Sequence, residues 1–488
     1  MKNNWRPDRW NLLISCFLGL PASLAAQDFG PYPFGKTDSV TIRLPDVIVN
    51  AAEARFRFFP LGQLVSYSDR QQSYLINSRG VGFVYTDGSL SVFSSFHDTQ
   101  ISGMKGMAGD SSLAGLNFVR FKGSGENQFA MGPANQVDFG DASGAISWKG
   151  SDWQIQAGKF PVISGPSARN NLLLNGTTGD FPLIWFQMEK SVFRYEVIYG
   201  FMKHFSIRNQ LSDKSVIWHR ASMNWPDWLT VYAYEAMVTT GHSVKAEYLN
   251  PFLFLRAVDH YNFSPDNAIL GFGLTLSTGW GSIYQEILID DLETKKLGTG
   301  WFRNKAAGLT GISFDQTWNE WKFGSDLECI WILPFTYSHR DPAHNLTHYG
   351  SPMGPTVGPN SVMVGFYNEI SHASAGLSAA LDVEFRMTGA TRPDGRSVGE
   401  DYRVGHPEPP GDERFMDYVS LLEGERKQVL TVSLQMAWMW RDIRVWLAPG
   451  WTSSDYLMPA LYLNKGVSLS AGIRYEMPWF ERVRTDRW

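Results

Sequence analysis

Stretches of about ten residues in which apolar and polar side chains strictly alternate set the strongest limit on what this chain folds into. Leu377, Ala379, Leu381, Val383, Phe385 and Met387 share one face, and Ser378, Ala380, Asp382, Glu384 and Arg386 share the other. Val467, Leu469, Ala471, Ile473 and Tyr475 oppose Ser468, Ser470, Gly472 and Arg474. Leu430, Val432, Leu434, Met436 and Trp438 oppose Thr431, Ser433 and Gln435. A period of two marks a β-strand whose faces meet different media. Strands of soluble sandwiches usually run about five or six residues, whereas a tilted strand needs about ten to cross a bilayer. The fold expected is all-β, a transmembrane antiparallel barrel of the outer-membrane kind.

Turn chemistry supports this. Val81 to Thr86 and Ser89 to Phe96 flank Asp87-Gly88, a hairpin turn, since both residues tolerate positive φ. Further hairpins are expected at Gly150-Ser151-Asp152, Trp225-Pro226-Asp227, Gly279-Trp280-Gly281 and Trp440-Arg441-Asp442. Trp225, Trp228, Trp438, Trp440, Trp451 and Trp479 stand at strand ends, where an interfacial girdle would place them. The chain of 488 residues holds 19 Trp, 19 Tyr and 31 Phe, yet its mean hydropathy is −0.21, so its apolar residues are dispersed rather than blocked. Strand length plus connections predicts about 16–18 strands, with the longer loops extracellular.

Residues 1–26 read as a signal peptide. Lys2, Arg6 and Arg9 precede a short apolar core, Asn11 to Leu20, and small residues, Ser23 to Ala26. Leu13-Ile14-Ser15-Cys16 makes only a loose lipobox, and cleavage would leave Cys329 as the one cysteine. No later run nears the roughly 18 apolar residues of a spanning helix. Residues 27–54 read as a periplasmic lead-in and 55–488 as the barrel. The net charge of −5 and the lack of Lys/Arg runs exclude a nucleic-acid footprint.

Two long loops stand out, Pro334 to Asn360 and Thr391 to Glu413. The first holds three His, two Tyr and five Pro. His339, His344 and His348 do not make a convincing metal site, because Asn345 stands where a zinc-protease helix needs Glu and the prolines forbid a long helix. No Gly-x-Ser-x-Gly elbow is present. Glu286 and Asp290 share a strand face and could form a glycosidase pair, but on an alternating barrel strand they more readily line an aqueous lumen. We expect the same of Asp382, Glu384 and Arg386. Flat aromatics beside polar groups suit a polysaccharide. The candidate polysaccharide contacts are therefore Tyr337, His339, His344, Asn345, His348, Tyr349 and Trp301. No catalytic residue, metal or cofactor is expected.

Five stretches in order carry a resemblance: Ser164 to Asn175, Tyr248 to Pro251 with Asp266 to Gly271, Ile283 to Asp291, Trp301 with Asn304-Lys305, and Pro334 to Asn360. Together, over about Phe58 to Gly389, they resemble the Wzi-type capsule-assembly outer-membrane proteins, including the gliding-motility RemB-like branch. The resemblance implies a barrel of about eighteen strands that holds capsular polysaccharide at the cell surface without being an enzyme. Polymer and outer-membrane lipid would then be its partners. A porin-like channel or a secretion or gliding component is the alternative, and a glycan-active enzyme the third reading.

Overall fold

Tight turns at one end of the strands alternate with connections at the other that are for the most part much longer, and between them run eighteen long strands. The computed structural model describes residues 39–43, 46–51, 54–71, 73–103, 136–176, 178–205, 211–225, 228–241, 244–262, 265–406, 414, 416–458, 461–475 and 483–484. The barrel strands are β1 (Ala54–Ser68), β2 (Ser73–Asp87), β3 (Leu90–Ser102), β4 (Gln136–Lys149), β5 (Trp153–Phe160) and β6 (Phe181–Lys190). Then come β7 (Phe193–Phe205), β8 (Leu211–Trp225), β9 (Leu229–Thr240), β10 (Asn267–Thr278), β11 (Gly281–Asp291) and β12 (Lys305–Trp318). The last six are β13 (Trp321–Ile332), β14 (Ser361–His372), β15 (Leu377–Ala390), β16 (Glu425–Trp440), β17 (Ile443–Thr452) and β18 (Gly466–Tyr475). Each pairs antiparallel with its neighbours in the chain, and β18 pairs with β1 to close the ring. Closure leaves no edge among these strands, which is what lets a sheet stand in a medium without water.

The strands of the expected hairpins pair as expected, with Pro226 and Asp227 of one turn outside the described residues. β2 and β3 turn at Gly88, whose φ of +49° a two-residue hairpin needs. Alternation then sorts the faces. On β10 and β11, Phe272, Leu274, Leu276, Ile283 and Ile287 are exposed outward, while Tyr284, Glu286, Leu288 and Asp290 are buried inward. On β15, Leu377, Leu381 and Phe385 point out and Arg386 is buried inside. Such an outward apolar belt suits lipid. Trp148, Trp225, Trp228, Trp280, Trp318 and Trp440 are all exposed at the tight-turn ends of their strands, one ring of an aromatic girdle.

Part of the tract expected as a lead-in joins the sheet. Ser39–Arg43 and Asp46–Ala51 form a hairpin, and the second strand pairs with β1 from Val47↔Phe58 to Ala51↔Ala54. The reason is a vacancy on the edge of β1. β18 covers only Gln63 to Ser68, so the first residues of β1 need another partner for their backbone groups. The expected signal segment and Trp479 lie outside the described residues.

The main apolar core sits inside the barrel. Leu172, Leu173 and Leu174 from the β5–β6 return meet Tyr337, Leu346, Met353 and Val357 from the β13–β14 return. Both pack on inward side chains such as Trp185, Trp218, Ile269 and Ile330. Each buried leucine of the triplet contributes about 1.5–3 kcal/mol, so the two returns are held inside the wall rather than standing clear of it.

Candidate functional site

Tyrosines laid flat along the inner wall create the polar half of this interior. Tyr234 on β9 lies against Gly271, where a Cβ would meet the ring at 2.0 Å. Tyr284 on β11 lies likewise over Gly311, its register partner on β12. Flattened in this way, each ring carries its hydroxyl sideways to a carboxylate. Tyr234 donates to Glu286 at 2.8 Å, Tyr284 to Glu328 at 2.6 Å, and Tyr367 to Glu384 at 2.8 Å. Three Tyr–Glu pairs thus step around the wall from β9 to β15.

The β5–β6 return docks on one of these carboxylates, Glu328, and on Asp382. Glu328 accepts from the Ser167 hydroxyl and, at 2.7 Å, from Asn170 Nδ2, which also donates to Tyr367 at 3.0 Å. Arg169 donates to Asp382 at 3.1 Å and stacks over the Tyr367 ring at 4.6 Å. Arg220 on β8 donates to Ser164. Glu384 also pairs with Arg386. Glu286 and Glu384 thus serve contacts along the inner wall, while Asp382 meets the return directly.

The β13–β14 return is tied in by the same means. Asp290 accepts from the backbone N–H of Tyr337 at 2.8 Å, and Lys305 donates to Ser338 O at 2.9 Å. Lys214 donates to Asn345 O at 2.6 Å. Tyr337 itself donates to Leu172 O, joining the two returns. His348 Nδ1 accepts from the backbone N–H of Lys203 at 3.1 Å. His344 Nε2 lies 3.4 Å from Asp266 Oδ1, and Asn345 accepts from the His339 N–H.

The structure therefore splits the expected set. Tyr337, His344, Asn345 and His348 are buried within the barrel mouth, with exposures of 0 to 3 %. They do not stand on an outward-held loop. The loop's own apolar residues and the wall's Lys214, Asp290 and Lys305 draw it inward. Burial pushes His348 down to about 3, aided by the charges of Lys214, Lys159 and Lys203. It pushes His339 down to about 3 as well, aided by Lys305, His344 and His406. His339, Tyr349 and Trp301 stay half-exposed.

Trp301 belongs to a ledge at the rim. It forms a β-bridge with Tyr418 of the β15–β16 return, and the two rings lie 5.1 Å apart. Lys296 Nζ sits 3.1 Å from the Trp301 ring centroid. Behind them Phe302, Phe335, Val398 and Val419 pack together, uniting three returns under the ledge. His406 touches both Phe302 and His339. Tyr418 is 52 % exposed. Sequence reading missed Tyr418, Ser167, Asn170 and Glu328. The Leu172-Leu173-Leu174 triplet in a polar stretch was the available signal that the β5–β6 return turns inward. Among the described residues no group of His, Cys, Asp and Glu is arranged to hold a metal ion, and no helix is long and apolar enough to cross a membrane.

No protein-family model matches the chain, and no curated protein matches it by sequence. Solved structures do. Wzi of Escherichia coli, an outer-membrane protein involved in group 1 capsule assembly and described as a carbohydrate-binding β-barrel, superposes with a TM-score of 0.56 at 14% identity. The match covers 88% of this chain and 85% of that one. The fold is that of an outer-membrane β-barrel. OprD of Pseudomonas aeruginosa matches with a TM-score of 0.44 at 11% identity, over 93% of this chain and 98% of that one. OccAB2 of Acinetobacter baumannii matches with a TM-score of 0.45 at 10% identity, over 87% and 98%.

Proposed function

We propose that this protein is a non-enzymatic barrel of the outer membrane that binds surface polysaccharide at its outer rim, in capsule assembly or a related task. One observation carries the reading: two returns fold into the interior, build an apolar core there against β5 to β14 and are bonded to the wall through buried carboxylates and lysines. A passage for solutes is poorly served by such packing, whereas a binding ledge gains a rigid base from it. The ledge offers Trp301 and Tyr418 as flat faces and Lys296 as a cation, with His339 and Tyr349 elsewhere on the same mouth. Tyr337, His344, Asn345 and His348 then act as the internal fastening. The carbohydrate binding of the E. coli barrel of like fold supports this reading. It is tested by deleting the gene and measuring surface polymer on cells and in the medium. Polymer made but shed supports binding; retention unchanged contradicts it.

A second reading, a porin-like channel or a gliding or secretion component, is favoured by the stretch of wall from β16 to β18. There Gln435, Arg444 and Arg474 point inward and are only half-buried, and no described residue of these three strands joins the main apolar core. Ion conductance by the purified protein separates the two readings.

A further inference from the structure

The return between β9 and β10 does not enter the barrel. It lies over the outside of the wall. Tyr248 and Leu255 from this return are buried against Ile217, Met237 and Ala268, which point outward from β8, β9 and β10. Tyr199 and Tyr195, outward on β7, donate their hydroxyls to Leu249 O and Pro251 O. Phe252 stacks on Tyr195 at 5.6 Å. The return then rises through helix α1 (Leu255–Asn262), whose first N–H donates to Glu235 at 2.9 Å.

This strap covers a polar pair that the outer wall shows at the edge of its apolar belt. His219 Nδ1 lies 3.4 Å from Glu235 Oε1; both side chains point outward, His219 buried and Glu235 largely covered. The strap also reaches down into the belt. Tyr195 is level in register with Ala221, Ala233 and Phe272, and Phe272 is an exposed residue of the belt. On its outer surface the strap exposes Leu249, Phe252, Leu253, Phe254 and Tyr261, the last two at 78 and 85 %. Arg256 and His260 are exposed on the same helix.

We propose that this strap is a lipid-binding element seated in the interfacial zone of the leaflet on the long-loop side. Its aromatic residues would lie among acyl chains, and Arg256 and His260 against anionic headgroups. The inference rests on the outer-membrane reading above. Phe252, stacked on Tyr195, continues the apolar belt beside Phe272, and Phe254 follows it, where water would otherwise meet a row of exposed aromatics. The helix carries Tyr261 with Arg256, Asp259 and His260, directly after Phe252 and Phe254, and such a mix of aromatic and charged residues suits an interface and not the hydrocarbon centre. By covering His219 and Glu235, the strap also spares a carboxylate from direct contact with lipid.

The test is site-directed spin labelling of the full-length protein in phosphatidylcholine–phosphatidylglycerol vesicles. The native cysteines are removed by Cys16→Ser and Cys329→Ser. Labels are placed through Phe254→Cys or Tyr261→Cys, with Phe272→Cys and Asp394→Cys as belt and aqueous references. We expect the strap labels to collide with oxygen as the Phe272 label does, and with a water-soluble nickel chelate about tenfold less often than the Asp394 label. Strap labels that meet the chelate as Asp394 does overturn the proposal. So does mutual broadening between copies, which would seat the strap against a second barrel. If the Phe272 label itself meets the chelate, the membrane reading fails instead.

Discussion

Asn170 Nδ2 lies 2.7 Å from Glu328 Oε2 and donates to it across 158 residues of sequence. The same carboxylate accepts from Ser167 and Tyr284. One strand residue thus fastens the β5–β6 return to the inner wall. Glu328→Ala would orphan three donors in a buried place, a cost of about 2–4 kcal/mol. The expected outcome is a barrel that still assembles but whose return opens far more often, read as faster protease cleavage within 161–180. Glu328→Gln keeps an acceptor and should fall between. Unchanged cleavage in Glu328→Ala would show that the apolar core alone holds the return.

Acid should loosen the β13–β14 return. His348 is held neutral by burial, at about 3 against an ordinary value near 6.5. The open return therefore binds a proton that the closed return refuses. Stability of the closed state is complete above about pH 6.5 and is lost as pH falls towards 3, by up to about 1.4 kcal/mol per pH unit. Protonation also removes the Nδ1 acceptor used by the Lys203 N–H. Proteolysis of 333–360 should rise on acidification from pH 7 to 4.5; His348→Gln should reduce that rise, and His339→Gln, which removes the second imidazole held near 3, should reduce it further.

The rim ledge yields a separable effect. Trp301→Ala removes the ring beneath Lys296 and beside Tyr418, and Tyr418→Ala removes its exposed partner. Each should weaken polymer binding by about tenfold, in line with about 1–1.5 kcal/mol for an aromatic contact, while heat-modifiable gel mobility stays at the wild-type value. Binding that survives the double substitution would place the polymer elsewhere.

Gly271 tests the flattened tyrosines. Gly271→Ala drives a methyl into the Tyr234 ring, which must swing away from Glu286. Overpacking of this kind costs about 1–3 kcal/mol, and the midpoint of urea unfolding in vesicles should drop accordingly. A midpoint equal to wild type would mean that the ring relocates freely.

Alternation made the barrel legible because it is a local property. Leu377 to Met387 reads the same in the chain and on β15, and Gly88 gives the β2–β3 turn without outside help, with Ser89 and not Asp87 as its second residue. The inward returns were not legible, since their partners are remote in sequence: Asn170 needs Glu328, and Tyr337 needs Leu172 and Asp290. A loop rich in His, Tyr and Pro looks alike whether it faces a polymer or its own wall. The strap left a trace in the outward His219 and Glu235, which break the apolar face of β8 and β9, but nothing local says that residues 244–262 cover them.

The central claim is that the barrel is sealed by its own returns and works at its rim. Single-channel recording of the full-length protein in a planar bilayer tests it most directly. The account predicts no steady conductance for the wild-type protein and discrete openings for Glu328→Ala. Steady ohmic conductance of the wild type at neutral pH would contradict it and turn the reading to transport.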